Sequence, residues 1–148
     1  MGKINVPKVL IGGLIAGVVL SIIDVLLYGA VLKAPMEVAW HAAGRPAMSD
    51  ALRSIEVPAS IFLDLVAGVF LVWMYAAIRP RFGAGPGTAV KAGLAGWFLA
   101  ALLSTMFTAQ GIMPGNIMII TTLVLLVEYP LAAVIGAKFY TESGAPTH

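Results

Sequence analysis

The sequence has no cysteine, only two histidines, and 11% charged residues among its 148 positions. Each shortage removes a class of chemistry. Without cysteine there is no disulfide, thiolate metal site, iron–sulfur ligation or cysteine nucleophile, and the redox compartment is unreadable. Imidazole is confined to His41 and His148. These two are expected on opposite sides of a membrane, so His41 is left as a lone candidate ligand for a metal, haem or chlorin, and no cofactor is predicted. No carboxylate and histidine pair has metal spacing, no glycine-rich phosphate loop follows a strand, and no nucleophile elbow is present. An enzymatic role is therefore not expected. The net charge of +2 and pI near 9.1 come from few charges with no basic stripe, which argues against a nucleic-acid partner.

What is present is apolar. Hydrophobic residues make up 60% of the chain and the mean hydropathy is +0.97, whereas about a quarter of an ordinary soluble domain is charged. A bilayer is the expected environment. Crossing one takes about 20 apolar residues at about 1.5 Å each, and four segments qualify: 9–32, 58–78, 92–110 and 116–137. The first run is too long for the apolar region of a signal peptide. The predicted fold is an all-α four-helix transmembrane bundle forming one integral membrane domain, with a flexible tail over 141–148.

Lys3, Lys8, Arg79, Arg81, Lys91 and Lys138 fall on one side of this arrangement, and Lys33, Arg45 and Arg53 on the other. By the positive-inside rule, both termini are expected in the cytoplasm of a bacterial cell, with the protein in its inner membrane. The segment Arg79-Pro-Arg-Phe-Gly-Ala-Gly-Pro-Gly87 reads as a tight turn whose prolines and glycines stop the second helix. A second short turn, Gly111-Ile-Met-Pro-Gly115, makes the last two helices antiparallel neighbours. The first connection, 34–57, divides near Gly44-Arg45-Pro46 and is expected to form two short interfacial helices. Met48, Leu52 and Ile55 share the apolar face of the second, and Trp40 suits the headgroup level.

Asp24, Asp64 and Glu128 each sit in a different apolar run with no cation beside them. An ionised carboxylate is so costly in hydrocarbon that such groups are usually protonated, face a bundle interior or line a wet cavity. Counting helical rise, Asp24 lies roughly 13 Å and Asp64 roughly 9 Å below the outer ends of their spans, and Glu128 roughly 18 Å below its own. If they face one another, they form a descending series of protonatable sites. Ser104, Thr105, Thr108 and Gln110 in span three, with Asn116, Thr121 and Thr122 in span four, bias polarity outward and could line a vestibule tapering to Glu128. The plainer alternative is that they bond across helices or back to the i−4 carbonyl. Asp24 has Ser21 one turn before it and Tyr28 one turn after it as local partners. Pro130, two residues past Glu128, predicts a kink and a freed carbonyl beside that carboxyl.

Small residues at packing spacing, Gly13 with Gly17, Ala92 with Gly96 and Ala132 with Gly136, imply close helix contacts, within the bundle or against another subunit. Asp64 and Tyr75 in span two also echo Glu128 and Tyr140 in span four, as a duplicated hairpin would.

The stretch Trp73-Met-Tyr-Ala-Ala-Ile-Arg-Pro-Arg-Phe-Gly-Ala-Gly-Pro-Gly-Thr-Ala89, with Val127-Glu-Tyr-Pro-Leu-Ala132, resembles the signature of a family of small uncharacterised four-span bacterial membrane proteins. The resemblance implies the four-span topology and no reaction. Relatives of that kind carry an amide and a Glu where this chain has Ser21 and Asp24, and generally lack an acid at the place of Asp64. Glu128 is the site the resemblance supports.

Two functions fit these features. The first expectation is a non-enzymatic accessory or structural subunit of a larger membrane complex, respiratory or photosynthetic, with lipid and larger subunits as partners. The alternative is a small proton- or cation-coupled carrier acting as a homo-oligomer through Glu128 and Asp24.

Overall fold

A computed structural model of the chain describes residues 4–44 and 54–142. Among these residues there are helices and turns and no strand. Helix α1 spans Val6–Leu26 and runs directly into a π-helical segment, Leu27–Val31. A short helix α2, Lys33–Ala42, follows, and then come α3, Glu56–Phe82, α4, Pro86–Ala109, and α5, Gly115–Ala137. Four helices are long and apolar enough to cross a membrane: Val6–Val31, Val57–Phe82, Pro86–Ala109 and Gly115–Ala137. The chain is a multi-pass membrane protein of the expected four-helix kind. Of the two interfacial helices expected in the first connection, the first is α2. Most of the second, including Met48 and Leu52, lies outside the described residues, as do Arg45, Arg53 and His148.

The boundary around Pro80 differs from the expectation. Instead of stopping at Ile78, α3 continues through Arg79 and Pro80 to Phe82. A proline in the last turn removes only one hydrogen bond near an end that is already losing them, so the helix absorbs it. Pro86 occupies the first turn of α4, where its fixed φ favours a helix start. The real turn is Gly83-Ala-Gly85, whose glycines adopt φ of 84° and 131°, values L side chains disfavour. Two side chains tie it down. Thr88 Oγ1 donates to the carbonyls of Phe82 (3.3 Å) and Gly83 (2.8 Å), and the Tyr75 hydroxyl accepts from the Gly85 N–H at 3.3 Å. The most distinctive motif in the sequence is thus a hairpin clamp.

Helix α1 packs chiefly on α3 and also on α5, α4 packs chiefly on α5, and α3 touches α4 and α5. The small residues account for this order. Gly68 of α3 rests on the backbone of Gly13 and Gly17, Gly12 of α1 rests on Gly136 of α5, and Gly93 of α4 rests on Pro130. In a bilayer, where association is driven by close packing, backbones brought into contact in this way hold a bundle together. All three small-residue pairs of the sequence are used inside the bundle: Gly13 and Gly17 against α3, Ala92 and Gly96 in the core, and Ala132 and Gly136 in the core against α1.

The end of the bundle bearing the chain's first and last described residues is stapled by Tyr75 and Tyr140, packed edge to face at 5.9 Å. The Arg79 guanidinium lies 5.6 Å from the Tyr140 ring and 3.7 Å from the Glu142 carboxylate. Glu142 stands at the start of the expected flexible tail, of which 143–148 lie outside the described residues. The two tyrosines of the proposed duplication meet across the bundle.

Candidate functional site: an acidic layer between two apolar clusters

Along the bundle axis the buried residues fall into two apolar clusters. One, toward the termini, includes Val9, Ala16, Leu20, Leu71, Val72, Tyr75 and Ala132. The other, toward α2, consists of Leu27, Leu32 and Ile117 with Tyr28 and Met36 packed against it. On α1, Ser21 and Asp24 fall between the two, and on α5 Glu128 does the same, while Thr121 lies alongside the second cluster. Within this polar layer Glu128 and Thr121 are buried, and Ser21, Asp24 and Asp64 are half-buried.

Three helices supply its acids. Asp24 comes from α1, Asp64 from α3 and Glu128 from α5. Asp24 and Asp64 come within hydrogen-bonding range of each other, and the charges of both are felt at Glu128. Two carboxyls can share a hydrogen bond only if at least one carries a proton, since an ionised carboxylate has acceptors alone. The cations of the four spanning helices, Lys8, Arg79, Arg81 and Lys91, all sit toward the termini, away from the layer.

Ser21 donates to Asp64 Oδ2 at 2.9 Å. The sequence pairs Ser21 with Asp24 on its own helix, but the close approach of Gly13 and Gly17 to Gly68 brings α3 within reach of the next turn of α1. The cross-helix bond forms instead. Tyr28 lies in the π segment, where the Leu32 N–H bonds back to the Leu27 carbonyl at 2.8 Å. Its hydroxyl comes within range of Thr121, although Thr121 Oγ1 forms no hydrogen bond of standard geometry. Such π turns often mark functional sites, because they insert a residue and turn the side chains that follow.

Glu128 is 2% exposed, and neither carboxyl oxygen has a hydrogen-bond partner. A buried polar group without a partner costs roughly 1 to 3 kcal/mol, more if charged, so its retention calls for an explanation. Pro130 is taken up inside α5 without ending it, and its ring position is the landing point for Gly93. Tyr129, which the sequence reading did not single out as a site residue, packs its ring against Gly96 and feels all three acids. Its place beside Glu128 in the chain was the available signal.

Of the two readings of the outer polar residues, the plainer one holds for Thr105 and Thr108, which donate back to the carbonyls of Ala101 (2.8 Å) and Ser104 (3.0 Å). These hydroxyls satisfy themselves on their own helix, the favoured outcome in hydrocarbon. Thr105, Gln110 and Asn116 are exposed. Thr122 Oγ1 is buried and unpartnered, while its carbonyl accepts from Trp97 Nε1 at 2.9 Å. His41 is exposed on α2. Among the described residues no group of three His, Cys, Asp or Glu side chains is arranged to hold a metal ion.

No family model, curated protein or solved structure matches this chain.

Two shallow apolar grooves flank α1 beside this layer. One, about 400 Å³, is bordered by Ile23 of α1 and by Val124, Val127 and Glu128 of α5. The other, about 380 Å³, is bordered by Ser21 and Val25 of α1 and by Ile61 and Leu65 of α3. Both grooves open laterally, toward the bilayer.

Proposed function

We propose that this protein is a small proton- or cation-coupled carrier, working as a homo-oligomer, with Glu128 and Asp24 as coupling residues. The observation that carries the reading is the gathering of three acidic side chains from three helices into one layer of the bundle, with no neighbouring cation among the described residues. Intramembrane acids of this kind serve proton relays and ion pathways. Pairing between copies would supply the walls that four helices lack, since Asp24 and Asp64 are only half-buried in the single chain. Both termini are proposed to face the cytoplasm of a bacterial cell, with the protein in its inner membrane, following the lysine and arginine distribution. The resemblance to the small four-span family belongs to the same proposal.

Purified protein reconstituted alone into liposomes is expected, with sodium, potassium and lipophilic organic cations supplied as candidate co-substrates, to dissipate an imposed pH gradient faster than protein-free liposomes given the same cations. Equal rates would overturn the carrier reading.

A second reading, an accessory or structural subunit of a larger respiratory or photosynthetic complex, draws on the aromatic outward face of α3. There Phe62 and Trp73 are exposed, and Phe70 stacks with Trp73 at 6.1 Å. Comigration with larger subunits after gentle extraction from native membranes would support it.

A further inference from the structure

We propose that the groove between α1 and α5 is a lateral binding site for an apolar organic cation, which enters from the bilayer and sets its positive group against Glu128. Two features converge on this occupant. The groove is walled by Ile23, Val124 and Val127, which would receive an apolar body. Glu128 borders it, nine-tenths or more buried, with both carboxyl oxygens unpartnered.

A neutral acyl chain would use the walls but leave Glu128 unsatisfied, and a hydrated inorganic ion would use Glu128 but gain nothing from the walls. An apolar cation uses both. The groove borders Glu128 directly, so a ligand arriving from the bilayer reaches it without passing along the bundle axis.

Protons compete with the cation for the same acid, so binding weakens as the pH falls. The titratable groups that face Glu128 are Asp24 and Tyr28 from α1 and its π extension, Asp64 from α3, and Tyr129 from α5 itself. From α4 the layer receives Trp97, which does not titrate. The site deepens the carrier reading by naming its substrate class, and it rests on that reading for transport but not for binding.

The test is equilibrium binding of radiolabelled tetraphenylphosphonium to the purified full-length protein in nanodiscs. Saturable binding is expected, strongest at high pH. Glu128→Gln should weaken it by about tenfold or more, the factor a lost charge-assisted contact carries. Val127→Trp, at a position 68% exposed on the groove rim, should block the groove without disturbing the core. Leu99→Trp, exposed on α4 away from both grooves, should bind as the unsubstituted protein does. Absence of saturable binding, or binding unaffected by Glu128→Gln, overturns the proposal; binding unaffected by Val127→Trp overturns the placement in this groove. Gradient dissipation without tetraphenylphosphonium binding would remove this site and leave the carrier reading standing. Binding without dissipation would do the reverse.

Discussion

Replacing Gly68 with valine is expected to destabilise the bundle by about 3 kcal/mol or more, the upper part of the range for overpacking. The reason is the identity of what the new side chain meets. A Cβ at this position would land on the backbone of Gly17 and Gly13, and backbone has no rotamer with which to move aside. The α1–α3 contact would have to open, taking with it the bond from Ser21 to Asp64. Gly87→Ala is the control, because a Cβ there meets nothing within 4 Å. It should be neutral or stabilise by up to about 1 kcal/mol, since alanine favours a helix. Equilibrium unfolding in mixed micelles reads both, and a Gly68→Val protein as stable as its parent would show that α1 and α3 do not cross here.

Glu128→Gln is expected to reduce proton-coupled flux by about a hundredfold or more, the scale lost when a proton-transferring group is removed. The substitution keeps the shape of the side chain, and neither carboxyl oxygen has a protein partner to lose, so stability should stay within about 1 kcal/mol of the parent. This separation of flux from folding makes the experiment informative. Glu128→Asp keeps the acid but shortens its reach, and should retain part of the flux. Any residual flux in Glu128→Gln should no longer follow the proton gradient. Proteoliposome transport with internal pH readout measures all three proteins. Undiminished proton-driven flux in Glu128→Gln would remove Glu128 from the pathway.

The spans were legible because a bilayer demands long apolar runs, and 9–32 or 116–137 can be little else. The identity of the candidate acids was equally plain, since Asp24, Asp64 and Glu128 stand out against such runs. Their convergence was not legible. In hydrocarbon the outward face of a helix is as apolar as its inward face, so the pattern around α1 or α5 does not fix its rotation. The glycines held that information in part: Gly13, Gly17 and Gly68 define the faces that meet, and Ser21 and Asp64 follow from them. The π segment at Leu27–Val31 had no sequence signal, because one inserted residue leaves composition unchanged. The Pro80 boundary was misplaced for a local reason, a proline tolerated in the last turn of a helix. The back-bonding of Thr105 and Thr108 was legible as the plainer of two readings, since a hydroxyl in hydrocarbon has an acceptor one turn back on its own helix.

The most direct test of the acidic layer is infrared difference spectroscopy of the carboxyl C=O region across a pH step. It would compare the parent protein with Asp24→Asn, Asp64→Asn and Glu128→Gln. If the three acids share one interior, deleting any one shifts the bands of the remaining two. If each variant instead reproduces the parent spectrum minus one unaltered band, the acids titrate independently and the shared layer is contradicted.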